Sequence, residues 1–387
     1  MLKRYLLTPG PTPVPPEIVL HMSQPIFHHR TQEFSRLFTE VQEGLRHLFQ
    51  TEQEVLVLAS SGTGAMEGAV TNTLSASDQV IVVNGGKFGE RWVKICQAFG
   101  IQVVEVRVEW GKAVESGTVA QVLSEHPEAR AILVQASETS TTVLHPVEEI
   151  AALTQERELL LIVDGITAVG AMDIPMDRWG IDVLVTASQK ALMLPPGLAF
   201  IALSPKAWRF VDRAKLPRFY FDLARERKEQ RKNLTAYTPA ISLIMGLHGV
   251  LQGLQQEGLS RVFARHALLA HATRTAAQAL GLSLLAPQNP SPAATGVWLP
   301  QSINGTRFLS YLRDCLGVDF ADGQDQLKGR VVRIAHIGYT GPFDIITAIS
   351  ALEMALERFG YPVELGRGVA AAERILTEKW PSAGEFI

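Results

Sequence analysis

Residues 183–197 read VLVTASQKALMLPPG, and the one charged residue in this stretch is Lys190. Apolar or small residues flank it on both sides, although a lysine is seldom buried unless another group pairs with it or uses it. The segment before it, VLVTAS, has the composition of a buried strand. A lysine that ends a strand and extends into solvent is the plainest interpretation. The rest of the chain decides between that interpretation and a functional lysine.

Short apolar runs alternate with segments of helical pattern over the first two hundred residues. The predicted strands are VLVLA (55–59), VIVV (80–83), VVEVRV (103–108), AILVQ (131–135), LLLIVD (159–164), VLVTAS (183–188) and LAFIAL (198–203). The predicted helices between them are 64–75, 88–99, 118–126 and 146–157. This alternation predicts an α/β fold with a mostly parallel sheet covered by helices on both faces.

The pattern changes after residue 203 and indicates further parts of the molecule. Long helices are predicted at 240–256 and 259–280, strands near 295–299 and 330–336, and helices near 304–316 and 343–359. At the other end of the chain, the prolines of TPGPTPVPP (8–16) fix φ and disfavour helix. We therefore predict an N-terminal extended arm (1–25), a large domain (26–257) and a smaller C-terminal α+β domain (258–387).

Composition and charge exclude several classes of protein. The chain has 387 residues and a net charge of −3, which gives no general attraction to nucleic acid or to an anionic membrane. Its two cysteines, Cys96 and Cys315, cannot form a disulfide framework or a four-thiolate cluster. Prolines stand where a signal peptide needs its apolar segment, and no apolar run approaches the roughly 20 residues of a membrane span. We expect a cytoplasmic protein.

Three features follow predicted strands, where parallel α/β sheets bind ligands. SSGTGAMEGAV (60–70) joins strand 55–59 to a helix, and its small residues would let backbone N–H groups approach an anion. It also approaches a dinucleotide fingerprint, but Asn84 stands where the ribose-binding acid is expected. A tight turn without a ligand is the remaining interpretation. Asp164 ends LLLIVD as an N-cap or a buried counter-ion, and Lys190 follows the next strand.

One ligand would use all three features together. Pyridoxal phosphate carries a phosphate, a pyridine nitrogen that must stay protonated and an aldehyde that requires a lysine. A carboxylate beside the ring nitrogen keeps the proton there and makes the ring an electron sink. A partly desolvated lysine near cations has a lowered pKa and reacts as the free amine. This hypothesis explains why a lone lysine follows a buried strand.

The sequence resembles the class V (fold type I) aminotransferases, and among them the alanine–glyoxylate and serine–pyruvate group. Nearly the whole chain carries the resemblance, which rests on LTPGPTPVPPEI, SSGTGAMEGA, NGGKFGERW, SETSTTVLHP, IVDGITAVGAMDIPMDRWGID, TASQKALMLPPG, YTPAIS and VVRIAHIG. The stretch from Asp164 to PPG (195–197) is specific, whereas the glycine-rich turn alone would be weak. The resemblance implies that residues 26–257 are the domain that binds pyridoxal phosphate.

Roles for individual residues follow from the resemblance. Lys190 resembles the Schiff-base lysine, and Asp164 the partner of the pyridine nitrogen. Arg333 matches the arginine that grips the substrate α-carboxylate, whereas Arg330 looks like a surface charge. The remaining cofactor-binding residues that it implies are Ser61, Gly62, Thr63 and Gln189 at the phosphate, Phe88 and Ile166 on the two ring faces, Thr139 near the ring hydroxyl, and Tyr237 and Thr238 at the phosphate of a neighbouring subunit.

The resemblance also implies a reaction and an assembly. The reaction is a ping-pong transamination from alanine or serine to glyoxylate or pyruvate, with Lys190 as general base and acid. The assembly is a homodimer with shared active sites, and no metal is expected. Two departures from the family pattern are Thr235, where a tyrosine is common, and the HHR segment (28–30), whose role stays open.

Two alternatives use the same fold. Cysteine desulfurases need a reactive cysteine on a mobile loop, but Cys96 and Cys315 lie in helical patterns and we expect both to be buried. Desulfurases also place a histidine before the lysine, where this chain has Gln189. Some close relatives are named as the small subunit of a soluble hydrogenase. A redox metal site would need about four thiolates, so we expect pyridoxal phosphate and no redox metal even under that name.

Overall fold

The structure is a computed structural model that describes residues 2–380. The strands are β1 (Tyr5–Leu6), β2 (Val55–Ser60), β3 (Gln79–Asn84), β4 (Gln102–Arg107), β5 (Ala131–Gln135), β6 (Ser137–Glu138), β7 (Val143–Leu144), β8 (Leu160–Asp164), β9 (Val183–Ala187), β10 (Gly197–Leu203), β11 (Ala294–Trp298), β12 (Val318–Asp319), β13 (Ala321–Asp322) and β14 (Val331–Ala335). The α-helices are α1 (Pro16–Met22), α2 (Gln32–Phe49), α3 (Gly62–Thr73), α4 (Lys87–Ala98), α5 (Ser116–Glu125), α6 (Val147–Ala152), α7 (Met176–Trp179), α8 (Pro205–Val211), α9 (Leu223–Gln230), α10 (Ile241–Glu257), α11 (Leu259–Ala279), α12 (Gly305–Cys315), α13 (Pro342–Arg358) and α14 (Arg367–Lys379).

The main sheet contains all seven strands that the sequence predicts up to residue 203. Their order is β2-β10-β9-β8-β5-β3-β4, and only β10 runs antiparallel to its neighbours β2 and β9. The central strands β5, β8 and β9 are buried along their whole length, because helices cover both faces. The expected α/β class with a mostly parallel mixed sheet is therefore confirmed.

Sheet register brings the polar strand ends together. Asp164, the last residue of β8, pairs with Gln135 of β5 and with Val185 of β9. β9 ends two residues later at Ala187, and the turn after it carries Lys190. The carboxyl ends of these three neighbouring strands therefore share one edge of the sheet, the edge where α/β folds bind ligands.

The N-terminal segment differs from the predicted extended arm (1–25). Tyr5–Leu6 forms a strand parallel to β12, residues 7–15 contain no helix or strand and bend over 8–11, and Pro16–Met22 is a helix. Pro16 occupies the first turn of α1, where the missing N–H has no intrahelical acceptor to lose. The proline-rich segment therefore ends at residue 15, and α1 begins at Pro16.

The C-terminal part is an α+β unit. Its antiparallel sheet has the order β11-β14-β13; α11 and α12 contact this sheet, and α13 and α14 pack on α11. Helices α10 and α11 meet at Gly258, where the predicted domain boundary lies. The boundaries themselves stay a prediction, and residues 1 and 381–387 of the predicted ranges lie outside the described residues. Between residues 2 and 380, no helix is long and apolar enough to span a bilayer.

Candidate active site

Lys190 lies in a partly buried position beneath the N-terminal segment. Its Nζ donates a hydrogen bond to the Pro9 carbonyl oxygen at 2.8 Å, and its own carbonyl accepts one from the Thr12 hydroxyl at 2.7 Å. Burial lowers the pKa of the Lys190 ammonium to about 8, Arg333 acts in the same direction, and Asp164 opposes both. The lowered pKa makes the free amine, the nucleophilic form, accessible near neutral pH.

Asp164 is a buried carboxylate that faces two cations. Its Oδ1 accepts the N–H of Ile166 at 2.8 Å. Burial raises the pKa of Asp164 to about 6, and that backbone hydrogen bond and the charges of Arg91 and Lys190 act against the rise. The group is therefore mostly ionised at neutral pH, as a partner of a protonated ring nitrogen must be.

The first turn of α3 lies between the segments that follow Asp164 and precede Lys190. A Cβ placed on Gly62 would lie 2.6 Å from Ile166 Cδ1 and 3.1 Å from Ala187 Cβ, so only glycine fits without a shift. Ser61 is the N-cap residue, but its side chain does not bond back to the helix. The Oε1 of Gln189 is buried without a hydrogen-bond partner among the described residues.

These groups fit a phosphate. The first N–H groups of a helix have no intrahelical acceptor, and the helix N-terminus carries partial positive charge. The Ser61 hydroxyl and the free backbone N–H groups are donors that a phosphate would satisfy, and Gln189 could add only its NH₂ group, because its unpaired Oε1 is an acceptor like the phosphate oxygens. The predicted phosphate cradle, residues 61–63, packs against Ile166, two residues after Asp164, and against Ala187, three residues before Lys190.

Phe88 and Arg91 join α4 to this cradle. The Arg91 guanidinium lies over the Phe88 ring, 4.9 Å from its centroid, and its Nη1 donates to Thr63 Oγ1 at 3.1 Å. Arg91 also influences the pKa values of both Asp164 and Lys190. Sequence reasoning missed Arg91, and its place one turn after Phe88 was the available signal.

Arg333 comes from the central strand of the small sheet and is buried. Its Nε and Nη2 donate to the Asp322 carbonyl oxygen at 3.0 and 2.8 Å, and its Nη1 donates to the Thr139 carbonyl oxygen at 2.9 Å. These bonds use three of the five guanidinium N–H groups and leave one on each terminal nitrogen within the described structure. Burial lowers the pKa of Arg333 to about 10, so it stays charged at neutral pH. The two remaining N–H groups form a fork that suits a carboxylate.

Thr139 and Glu138 are adjacent residues that connect Arg333 to the start of α4. The Thr139 hydroxyl lies 2.6 Å from that of Thr167, a residue that sequence reasoning missed. Glu138 is fully buried, and burial raises its pKa to about 7 against the effect of its hydrogen bonds to Ser140 and Gly89. Sequence reasoning missed Glu138 as well, because its partners lie about fifty residues away in the chain.

Tyr237 and Thr238 do not join the site within one chain. The Tyr237 hydroxyl donates to the Phe219 carbonyl oxygen at 3.1 Å and accepts from Arg225 at 3.2 Å, and Thr238 is exposed. Thr235, which stands in place of the family's tyrosine, donates to the Tyr237 carbonyl oxygen at 2.7 Å. The expected contact to a neighbouring subunit stays a prediction.

Arg330 and the cysteines lie apart from the site. Arg330 is exposed and lies over the Trp298 ring, as expected of a surface charge. Cys96 is buried, and burial raises its pKa to about 12, which makes it inert. The expectation that both cysteines are buried is wrong for Cys315, which is exposed at the last residue of α12. Residues 2–380 contain no cluster of three His, Cys, Asp or Glu side chains able to hold a metal ion.

The site therefore defines a class of protein. A lysine of lowered pKa, a buried carboxylate, an uncapped helix N-terminus and an arginine with a free fork surround one sheet edge. These are the groups that pyridoxal phosphate and a substrate carboxylate require together. The residues present fit that cofactor.

Comparison with known proteins agrees with this chemistry. The chain matches the family described as aminotransferase class V over residues 4–325. It is 42% identical over 380 residues to the soluble hydrogenase small subunit of Synechococcus sp., covering 97% of this chain and 99% of that one. It is 36% identical over 375 residues to the L-aspartate–glyoxylate aminotransferase of Paracoccus denitrificans, covering 95% of each. The solved pyridoxamine–pyruvate aminotransferase of Mesorhizobium loti superposes with a TM-score of 0.93 at 27% identity, covering 98% of each chain.

The chain belongs to the class V aminotransferases. It is accordingly a transaminase, and its cofactor is pyridoxal phosphate.

Proposed function

We propose that this enzyme moves the amino group of a small amino acid, alanine or serine, to glyoxylate or pyruvate in a ping-pong reaction. The observation that carries the proposal is the position of Arg333, which is close enough to Lys190 to lower its pKa and keeps a fork of two N–H groups free. An α-carboxylate held by that fork would have its α-carbon near the lysine amine. The relatives named as glyoxylate aminotransferases support the choice of acceptor.

We propose that the cofactor is held by the residues that the family resemblance implies. Asp164 would face the ring nitrogen, Thr139 the ring hydroxyl, and Phe88 and Ile166 the two ring faces. The phosphate would be held by Ser61, Gly62, Thr63 and Gln189. When bound, pyridoxal phosphate supplies the electron sink that makes the proton on the substrate α-carbon more acidic.

Lys190 would carry the proton in each half-reaction. Its lowered pKa makes it a base at neutral pH, and its Nζ would take the α-proton and deliver it again as an acid. Asp164 would keep its negative charge throughout. The N-terminal segment from Pro9 to Thr12 covers Lys190 and would limit the access of water.

We further propose a homodimer in which Thr238 and Tyr237 of one copy reach the phosphate of the other. Support comes from the exposed position of Thr238 on the surface of one chain. The scarcity of cysteines keeps the cytoplasm as the proposed location. Light scattering on the purified protein should give twice the mass of one chain, and a monomeric mass would contradict the shared site.

The soluble hydrogenase name of the Synechococcus relative suggests an alternative, a subunit of a redox complex that keeps the same fold. A nickel–iron or iron–sulfur site needs about four thiolates, and the chain has two distant cysteines. Elemental analysis of the purified chain should therefore find no stoichiometric nickel or iron. Stoichiometric metal would favour the redox alternative.

Formation of glycine from glyoxylate tests the proposed function. Purified protein with pyridoxal phosphate should form glycine when alanine or serine is the donor, and Lys190→Ala should form none. Lys215→Ala, which removes an exposed lysine, is the matched control and should keep full activity. Equal glycine formation by the Lys190 variant would reject the proposed role of that lysine.

A further inference from the structure

Helix α4, which carries Phe88, has no cap of its own. The helix begins at Lys87, and the residue before it is Gly86, which has no side chain to offer. The first N–H groups of a helix need acceptors from elsewhere, and leaving them buried without acceptors is costly. At least three such N–H groups, those of Lys87, Phe88 and Gly89, must therefore be satisfied by another part of the chain.

The acceptors come from the segment Glu138–Ser140. The Ser140 hydroxyl oxygen accepts the N–H of Lys87 at 2.9 Å. Glu138 Oε2 accepts the N–H groups of Phe88 and Gly89 at 3.1 and 3.0 Å. The next N–H, that of Glu90, makes the first intrahelical bond, to the Gly86 carbonyl oxygen at 3.0 Å. The three N–H groups of Lys87, Phe88 and Gly89 are therefore accepted by two side chains distant in sequence.

Glu138 has four partners, and every one of them is a donor. Its second oxygen, Oε1, accepts the N–H of Ser140 at 3.1 Å and also the Ser140 hydroxyl. These four bonds stabilise the ionised carboxylate and act against the burial that raises the pKa of Glu138 to about 7. The packing is close as well, since a Cβ on Gly86 would lie 2.5 Å from Ser140 Oγ and 2.6 Å from Glu138 Cδ.

This arrangement links two parts of the candidate site. On one side it holds the first turn of α4, from which Phe88 and Arg91 extend. On the other side lies Thr139, whose carbonyl oxygen accepts a hydrogen bond from Arg333. A shift of Glu138 would therefore move the ring-stacking residue and the carboxylate-binding residue relative to each other.

We propose that Glu138 is a positioning residue that places the Phe88 ring against the cofactor by holding the N-terminus of α4. The inference rests on the proposed function, which puts Phe88 on one face of the cofactor ring. Glu138 itself touches neither the cofactor nor the substrate in this scheme. Its effect should therefore appear in how the cofactor is bound.

The variant Glu138→Gln tests the proposal at constant side-chain size. Glutamine offers one acceptor oxygen and turns the other position into an NH₂ group, which would face N–H donors. Loss of hydrogen bonds to a charged acceptor should weaken cofactor binding about tenfold. The circular dichroism of the bound cofactor at visible wavelengths should fall too, because it depends on the orientation of groups packed against the ring.

Glu353→Gln is the matched control. Glu353 is also buried, and it accepts the N–H groups of Gly366, Gly368 and Val369 at 2.7, 2.6 and 3.1 Å at the start of α14, in the small domain. Both variants should lower the melting temperature of the cofactor-free protein. Only Glu138→Gln should change the cofactor dissociation constant and the visible circular dichroism.

A double-mutant cycle identifies the route of the effect. If Glu138 acts through Phe88, then Glu138→Gln should weaken cofactor binding far less in a Phe88→Leu background than in the wild type. Full additivity would overturn the proposal, and so would a wild-type dissociation constant and spectrum in Glu138→Gln. Should Glu138→Gln fail to fold, Ser140→Ala removes the acceptor of the Lys87 N–H and one donor to Glu138, and an unchanged spectrum in that variant would overturn the proposal.

Two further variants distinguish a failure of the proposed function from a failure of the proposal for Glu138. A Phe88→Leu variant with unchanged cofactor binding would show that Phe88 does not stack on the ring, and the proposal for Glu138 would fall with that assignment. A Lys190→Ala variant with undiminished activity would reject the catalytic assignment while leaving the role of Glu138 in cofactor binding measurable.

Discussion

Arg333 shows how a buried charge is held ready for a ligand. A guanidinium has five N–H groups, and the carbonyl oxygens of Asp322 and Thr139 accept three of them. Those bonds fix the plane of the group while leaving one N–H on each terminal nitrogen. A charge that is already oriented needs little rearrangement when a carboxylate arrives.

Replacing Arg333 with lysine should raise the KM for the amino donor by roughly 10- to 100-fold, the range expected for loss of a charge-assisted bidentate pair. Lysine keeps the charge but cannot form the fork or hold both carbonyl oxygens. Steady-state kinetics on donor and acceptor would measure the effect, which should appear for both because each carries an α-carboxylate. Arg330 is exposed and immediately precedes β14, the strand that carries Arg333, and Arg330→Lys should leave KM unchanged. Equal effects of the two variants would contradict the assignment.

Some residues of the candidate site can be predicted from the sequence and others cannot, for a physical reason. Lys190 and Asp164 stand out because each follows an unbroken apolar run, where an isolated charge is unusual. Glu138 and Arg91 do not stand out, because their significance arises from contacts with residues distant in the chain. Local pattern predicts a residue that ends a strand, but it cannot predict which helix that residue caps.

The N-terminal segment is packed directly against Lys190, the proposed Schiff-base lysine. A Cβ on Gly10 would lie 2.2 Å from Lys190 Nζ and 2.6 Å from its Cδ and Cε, and Gly10 has a φ of +145°. The conformation and the space both require glycine there. The prolines on either side stiffen the segment that brings this glycine into place.

We expect Gly10→Ala to displace the Lys190 side chain and to lower kcat at least tenfold, since small misplacements of a reacting group are costly. Gly117→Ala in α5 is the control, because nothing lies within 4 Å of its added methyl group. Activity of both variants, together with the absorbance of the bound cofactor, gives the readout. Wild-type kcat in Gly10→Ala would mean that the segment is only a cover.

The elements themselves follow from the sequence to different degrees. All seven strands of the main sheet coincide with predicted strands. The central strands are apolar throughout because both of their faces are buried, whereas the edge strand β4 is only partly buried and carries Glu105 and Arg107. Helix α1 was not predicted, because prolines indicate a helix break, whereas Pro16 stands at the first position of this helix, where proline is tolerated. The composition of β10 likewise does not predict that this strand runs antiparallel, because its direction depends on the connection from β9.

His266 ties distant parts of the molecule together as a neutral group. From α11, its Nε2 accepts the N–H of Gly338, so Nδ1 carries the proton and donates to the Ala171 carbonyl oxygen, each at 3.1 Å. Burial lowers the pKa of His266 to about 3, and Arg265 acts in the same direction. Because the folded-state pKa is depressed, the stabilising contribution is complete above the unfolded value of about 6.5 and is lost as the pH falls towards 3.

His266→Asn should therefore make stability less dependent on pH between 6.5 and 3. The wild type should lose about 1.4 kcal/mol more per pH unit than the variant over this interval, the value for one proton bound only by the unfolded state. Denaturant unfolding at a series of pH values measures both slopes. Gln121→Asn, at an exposed position without a titratable group, should keep the wild-type slope. Equal slopes for His266→Asn and wild type would show that His266 is protonated in the folded protein.

The central claim is that this chain uses pyridoxal phosphate on Lys190 to carry an amino group between small acids. The most direct measurement is the absorbance spectrum of the purified protein during sequential additions. We predict a cofactor band near the visible edge that bleaches when alanine or serine is added and returns when glyoxylate follows. A protein that stays colourless after incubation with pyridoxal phosphate, or a band that no amino donor changes, would contradict the account.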